Sequence, residues 1–440
     1  MNQASLFEDP LLIPDAIIDK KNKRSGTYHD NMRLPVHRWF RFSAGYSAEW
    51  VVQTISNECE KSDQNIINVL DPFAGSGTTL LAADECGVKS VGYEAQPFIR
   101  SVAEAKLAWD VDPNEYKKNA YDLLQQAKKL KPSVNRMTNN PLLSKCFRED
   151  IFLELESLRI AYMKIFSDSD SIISRLIWLT ITSIMRQCSH VGTAQWQYVL
   201  PNKSKAKFQS PYFAFTNKIN EIYIDINIAK NNGWISNATV IPMDARDCDK
   251  SDSNEYSIVI TSPPYPNNYD YADSARLEMT FWGDISGWSD LHQYARKDLV
   301  RSCSQHSAKE KLDLDELLNN QILNPIINEL ADRCYQLAEI RKHKGGKKTY
   351  HTMAAAYFSD LALIFRGLRA RVIQGGTLCF VIGDSAPYGI HLPVEQWLGQ
   401  LAVSAGFQDY NFEKIRDRNI KWKNRKHRVP LHEGRLWITA

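Results

Sequence analysis

The sequence predicts an α/β protein organised on a doubly wound sheet, and three stretches carry that expectation. The first is Ile66-Ile67-Asn68-Val69-Leu70, a short buried strand. Asp71-Pro72-Phe73-Ala74-Gly75-Ser76-Gly77 follows it, and then a helical run, Thr78-Thr79-Leu80-Leu81-Ala82-Ala83. A strand-to-helix turn with glycines where backbone must approach a ligand marks the nucleotide-binding edge of such a sheet. A plain βα turn, with Gly75 and Gly77 supplying only backbone freedom, would use the same residues. The second stretch, Lys89-Ser90-Val91-Gly92-Tyr93-Glu94, is a strand ending in an acid. An acid about 20 residues after the glycine turn is placed to bind ribose hydroxyls, although a surface glutamate at a strand end looks the same. The third, Ser257-Ile258-Val259-Ile260-Thr261, is a buried strand that runs into Ser262-Pro263-Pro264-Tyr265. Two prolines stiffen that turn and an aromatic closes it, as they also would in a surface Pro-Pro turn with a packed tyrosine.

Length and composition narrow the class. With 440 residues the chain can bury a large core, as one big domain with insertions or as two to three domains. Hydrophobic residues make up 43% and charged residues 24%, ordinary for a soluble globular protein. The formal net charge is only +3, so any nucleic-acid surface must be a local patch. No apolar run approaches the roughly 20 residues that span a bilayer. Met1 to Asp15 lacks the basic start and apolar core of a secretory signal. The eight cysteines are scattered without a Cys-x-x-Cys pair, so neither zinc nor a disulfide framework is expected. A reduced, cytoplasmic setting follows.

Taken together, Asp71 to Gly77 and Thr261-Ser262-Pro263-Pro264-Tyr265 resemble motifs I and IV of the amino-methyltransferases of DNA. The resemblance covers roughly residues 28–100 and 238–440. It implies a Rossmann-like class I methyltransferase sheet with an antiparallel C-terminal hairpin and helical insertions, and S-adenosyl-L-methionine as methyl donor. In its terms Phe42, Asp71, Phe73, Gly75, Gly77, Thr78, Glu94, Asp244 and Thr261 bind the donor, with Glu94 as the motif II acid. Ser262, Pro263, Pro264 and Tyr265 form the catalytic turn. His37-Arg38-Trp39-Phe40-Arg41-Phe42-Ser43-Ala44, with the amphipathic run from Glu49 to Ile55, resembles motif X, which closes over the methionine end of the donor. An aromatic helix start packed on the core explains that segment equally well.

Residues 1 to 26 look irregular. The catalytic domain is expected at 1–110 and 236–440. Between them, at 111–235, long helical periodicities such as Leu153 to Ile160 and Ile172 to Leu179 predict a helical insertion. Inside it, Trp196, Tyr198 and the basic run Lys203-Ser204-Lys205-Ala206-Lys207 suit nucleic-acid contact or a solvated polar loop. Val240 to Asp247 resumes the sheet and resembles motif III, which makes Asp244 the partner expected for the donor's exocyclic amine, with Asp247 suited to capping. Beyond the Pro-Pro turn, Tyr269 and Tyr271 could line a pocket for a planar base or belong to the core.

A second helical insertion is expected at 286–350, ending in the basic loop Arg341 to Lys348, either a charged linker or a phosphate contact. Met353 to Ile373 reads as a long helix, Gly376 to Asp384 as a buried strand, and Val394 to Ala405 as a helix closed by Gly406. The chain ends as two strands round the most basic stretch, Arg416 to Arg428, where Arg418, Lys421, Lys423, Arg425 and Lys426 surround Trp422.

The chemistry asks little covalent work of the protein. A nucleobase amine is a poor nucleophile because its lone pair is delocalised, and a sulfonium donor supplies the electrophile. The protein must align amine, methyl and sulfur and favour the lone pair on nitrogen. In the resemblance, the Ser262 hydroxyl and the Pro263 carbonyl accept from the amine and Tyr265 stacks on the base. There is no Pro-Cys dipeptide of the kind found in carbon-5 cytosine enzymes. An amine inside a duplex must first be flipped out.

The expectation is a site-specific methyltransferase of double-stranded DNA acting on cytosine N4, because relatives with Ser at the first position of the turn mostly act there. Adenine N6 is the alternative. Family membership also implies a cognate restriction endonuclease as partner. Many relatives with Ser-Pro-Pro-Tyr carry motif IV before motif I, whereas here motif I comes first, so either insertion could read the DNA. An RNA amino-methyltransferase shares this core but usually brings an RNA-binding domain, for which the short N-terminus leaves no room. A non-catalytic binder on a decayed core is opposed by the intact Asp71, Gly75, Gly77, Glu94 and Thr-Ser-Pro-Pro-Tyr.

Overall fold

A computed structural model of the protein describes residues 29–61, 67–133, 139–166, 169–193, 199–250, 255–268, 270–344, 348–418 and 429–440. In chain order the strands are β1 (Asn68–Asp71), β2 (Lys89–Tyr93), β3 (Val191–Thr193), β4 (Val199–Ser204) and β5 (Ala238–Ile241). Then come β6 (Tyr256–Thr261), β7 (Val372–Gly383), β8 (Asp409–Arg418) and β9 (Leu431–Thr439). Seven of them form one sheet in the order β5-β2-β1-β6-β7-β9-β8, while β3 and β4 pair apart from it. Strands β5, β2, β1, β6 and β7 run parallel, and β9 inserts antiparallel between β7 and β8. This is the Rossmann-like methyltransferase sheet with its antiparallel hairpin.

Strand order reverses at β1. The chain builds outward through β2 and β5, then returns to lay β6 on the other side of β1. Ligands of such sheets bind outside the carboxyl ends of the strands at that switch point. Val69 faces Ile258 and Leu70 faces Val259, so the motif I and motif IV turns leave the sheet at the same level. Successive side chains alternate between faces. Val69, Ile258, Ile260 and Val381 pack on one side, and Leu70, Val259, Phe380 and Ile382 on the other. Burial on both faces explains the continuous apolar runs seen in the sequence.

The first face is covered by α1 (Ala48–Lys61) and α2 (Thr78–Glu85), and α3 (Pro97–Leu107) follows β2. A helical layer comes next: α4 (Pro113–Leu130), α5 (Pro141–Cys146), α6 (Glu149–Phe166), α7 (Ile172–Cys188) and α8 (Pro211–Asn231). It shares one core with α3 and with Val36, Trp39 and Phe40. After β6 come α9 (Arg276–Trp282), α10 (Leu291–Tyr294), α11 (Ser304–Glu310), α12 (Leu314–Leu318) and α13 (Ile327–His343). Then α14 (Tyr350–Arg369) and α15 (Val394–Ser404) cover the second face. Among the described residues no helix is long and apolar enough to cross a membrane.

Two buried ion pairs fasten the helical layer to the rest. Asp225 of α8 accepts from the Val36 amide at 3.1 Å, Arg38 Nε at 2.9 Å and the Trp39 indole at 2.9 Å. Arg186 near the end of α7 grips the buried Glu278 of α9 through both carboxylate oxygens. A buried carboxylate is tolerable only when donors surround it in this way.

Three sequence expectations are corrected. Lys203 and Ser204 lie on β4, paired with Val191 to Thr193, so part of the stretch read as a polar loop is a hairpin. The helix read from Met353 to Ile373 stops at Arg369, and Ile373 belongs to β7. Arg371 ends the helix by donating to the carbonyls of Cys248 and Asp249, which turns the chain into the sheet. Asp244, not Asp247, caps its turn by accepting the Arg246 amide. Trp196, Tyr198, Tyr269 and, from the two basic stretches, residues 345–347 and 419–428 lie outside the described residues, as do residues 1–28.

Candidate active site at the sheet switch point

The motif I turn is a cradle made of backbone. Gly75 has φ +52° and Gly77 φ +86°, a region that favours glycine. A Cβ on Gly75 would stand 3.0 Å from Phe42 Cε1, so the aromatic ring from the segment before α1 already lies over the turn. Glu94, just past β2, reaches back to this turn. Its Oε2 accepts the Gly75 amide at 2.9 Å and its Oε1 the Gln96 amide at 2.8 Å. Burial pushes the Glu94 carboxyl up to about 7, against the pull of those two amides. Phe73 packs on the sheet core, and Thr78 opens α2 from a buried position directly after Gly77.

Asp71 and Thr261 are spent on each other. The Thr261 hydroxyl donates to Asp71 Oδ1 at 2.6 Å, joining the last residue of β1 to the last of β6. Asp71 also accepts from the Tyr46 phenol at 3.1 Å and the Phe73 amide at 3.0 Å. Tyr46 bonds Thr79 in turn, and Thr79 donates to the Ile260 carbonyl. Burial raises the Asp71 carboxyl above the usual range while these donors hold it down. The acid of motif I is therefore a latch between the two strand ends.

The motif IV turn is held from outside. Ser262 donates its hydroxyl hydrogen to the Val381 carbonyl of β7 at 3.1 Å. The Tyr265 amide donates to the Tyr271 phenol at 3.0 Å, and the Asn267 amide to the Ser302 carbonyl at 2.7 Å. Pro263 is buried and Pro264 partly so. The Tyr265 ring lies beneath the Arg418 guanidinium, 5.1 Å from the ring centre, and against Gly383, where a Cβ would come within 3.0 Å of it. Burial raises the phenol far above its ordinary value, so it stays protonated. Behind the turn, Asp270 is clamped by the buried Arg296, which stacks on Trp288 at 4.5 Å.

Of the residues singled out in the sequence, Phe42, Gly75, Gly77 and Glu94 meet around one crevice, beside Phe73 and Thr78. Ser262 to Tyr265 stand at the neighbouring strand end. Asp244 is partly buried, and both of its oxygens are held by Arg246, with Nε at 3.1 and 2.9 Å. Tyr271 is a support for the turn, through its phenol. Tyr46, Thr79, Ser302 and Arg418 escaped sequence reasoning as parts of the site. Thr79, directly after Thr78, and Tyr46, between the motif X segment and α1, stood near enough to a motif to be suspected.

The sheet order is that of a Rossmann-like methyltransferase fold. Residues 20–105 match the DNA methylase family of N6 and N4 methyltransferases. Over 434 residues the chain is 25% identical to the type II methyltransferase M.AvaI of Nostoc sp., covering 93% of this chain and 85% of that protein. It is 24% identical over 439 residues to the type II methyltransferase M.BsoBI of Geobacillus stearothermophilus, covering 90% of this chain and 83% of that one. A shorter stretch of 66 residues, 15% of this chain and 12% of the relative, is 38% identical to the type II methyltransferase M.MjaII of Methanocaldococcus jannaschii. Over most of its length the chain is thus similar to type II methyltransferases, and its N-terminal part matches the DNA methylase family.

Proposed function

We propose that the protein transfers a methyl group from S-adenosyl-L-methionine to the exocyclic N4 amine of cytosine in double-stranded DNA. The observation that carries this is the pairing of the motif I cradle with Ser262-Pro263-Pro264-Tyr265 on adjacent strand ends, latched by Asp71 and Thr261. The two positive-φ glycines keep the turn free of side chains of its own, and an acid stands at its rim, so the residues present fit the donor. Phe42 would cover its methionine end, Gly75, Gly77 and Thr78 would lie along it, and Glu94 would accept from the ribose hydroxyls. Phe73 would flank it, and Asp71 and Thr261 would hold the floor. Asp244 would meet the donor's amine only by sharing a carboxylate that Arg246 holds. When bound, the donor supplies an electrophilic methyl on a good leaving group.

The turn then prepares the amine. Because Ser262 gives its hydrogen to Val381, its oxygen acts as an acceptor, with one lone pair toward the Tyr265 phenol and one left for an N–H. The Pro263 carbonyl is a second acceptor, fixed by two prolines. Two acceptors on one amine favour its lone pair on nitrogen, and preset acceptors need little reorganisation. Arg418 and Gly383 fix the Tyr265 ring at the strand end, where it would stack on a base flipped out of the duplex. Eight unpaired cysteines suit a reducing, cytoplasmic compartment. A cognate restriction endonuclease would complete a restriction-modification pair.

Cytosine rather than adenine rests on serine at the first position of the turn. Digesting methylated DNA to nucleosides and comparing them with both standards by mass spectrometry tests it. N4-methylcytosine is the expected product, and N6-methyladenine alone would overturn the base while leaving the mechanism.

A further inference from the structure

Just beyond the end of β7, four ionisable side chains converge. Asp384 is fully buried, and its Oδ2 meets His391 Nε2 at 3.2 Å and His432 Nδ1 at 2.9 Å. His432, on β9, also meets Glu395 Oε1 of α15 at 3.3 Å through its Nε2. Asp384 Oδ1 and Glu395 Oε2 are both buried, and apart from each other's carboxyl neither has a hydrogen-bond partner among the described residues. Two buried carboxyls that face each other hold either a shared proton or a cation that replaces it. The nearby guanidinium of Arg418 is not that cation, since it binds the Asp384 backbone carbonyl at 2.8 Å.

We propose that Asp384, Glu395 and His432, with His391 steadying Asp384, form a structural site for a first-row divalent cation. One ligand atom from each of Asp384, Glu395 and His432 lies within 4.8 Å of the others. Ligands bound at about 2.1 Å stand at most about 4.2 Å apart, so small side-chain rotations complete the shell. Imidazole nitrogen mixed with carboxylate oxygen suits zinc or its first-row neighbours, whereas magnesium and calcium prefer oxygen alone. The scattered cysteines bear only on thiolate sites and leave this one open. A cation here would pin β7, β9 and α15 together directly behind the catalytic turn. It takes no part in the reaction and carries no electron.

The test uses the full-length chain, stripped with chelator and titrated with Zn(II) by calorimetry and with Co(II) by visible absorption. One cation per chain, a Kd at or below micromolar and a rise in Tm at saturation are expected. Glu395→Gln and His432→Gln should each weaken binding at least tenfold while circular dichroism stays unchanged. Wild-type protein that takes up no stoichiometric cation overturns the proposal, and so does uptake that both folded variants retain in full. Should a variant fail to fold, the wild-type stoichiometry and Tm decide.

Discussion

The two strand ends at the crevice are built on different principles. The β1 end is shaped by its own backbone, two positive-φ glycines within three residues, and its partners lie on the next strand or just before α1. The β6 end is shaped by remote groups: Val381 from β7, Tyr271 and Ser302 from the chain beyond the turn, and Arg418 from the terminal hairpin. A donor shared by many enzymes can be met by a fixed local cradle. A turn that must receive an extruded base draws its stiffness from several segments at once, and each is a place where that stiffness can be altered without touching donor binding.

The largest expected effect breaks the local end. Gly75→Val places a branched side chain against Phe42 in a conformation that costs about 1–3 kcal/mol in strain for such residues. Donor affinity should fall by roughly 100-fold or more, measured by calorimetry on protein whose circular dichroism is unchanged. Equal affinity would remove the cradle assignment. Next comes the remote end. Ser262→Ala removes one preset acceptor and should lower kcat by roughly 10²-fold, with donor affinity intact. A matching loss of donor affinity in the Ser262→Ala protein would show that the two ends are not separable.

A smaller effect distinguishes the ends by pH. Glu94, with its carboxyl near 7, must be ionised to accept two ribose hydroxyls. Donor affinity should therefore climb as pH rises through 6 to 8 and level off above, by at most about tenfold per unit. Glu94→Gln should flatten the profile, and a wild-type profile that is already flat would exclude this role. The sign for stability is opposite. A carboxyl raised on folding holds its proton longer in the native state, so its contribution declines as pH climbs from the ordinary carboxylate range to about 7. The smallest effect is Tyr271→Phe, which deletes the acceptor of the Tyr265 amide. One hydrogen bond of about 1 kcal/mol predicts roughly a fivefold loss of kcat, read by single-turnover kinetics, with no change in donor Kd.

The same contrast explains what could be read in the sequence. Strand, glycine turn and helix are neighbours in the chain, so the cradle and Glu94 were visible as spacing, and the sheet followed from a few apolar runs. The latch was half visible: Asp71 and Thr261 both sat in motifs, but only the register of β1 on β6 brings them together across 190 positions. Ser302 carried no local pattern, and Arg418 stood out only as one of a basic stretch, because their roles come from where the sheet edge and the loop after α10 return to the turn. Asp244 shows the opposite limit. Its position was legible, while its pairing with Arg246 two residues on was not, since a short-range ion pair leaves no periodicity.

The Asp225 carboxylate has a consequence for how the molecule opens. It takes a backbone amide, a guanidinium and an indole from residues 36–39 while sitting on a helix nearly two hundred residues later. Exposing any of those three donors strands a buried charge, so the entry segment and α8 must come apart together. In native-state hydrogen exchange the Val36 amide should then report the opening free energy of the helical layer and not the fraying of a chain end. A segment near the start of the chain thereby becomes a probe of the layer's cooperativity.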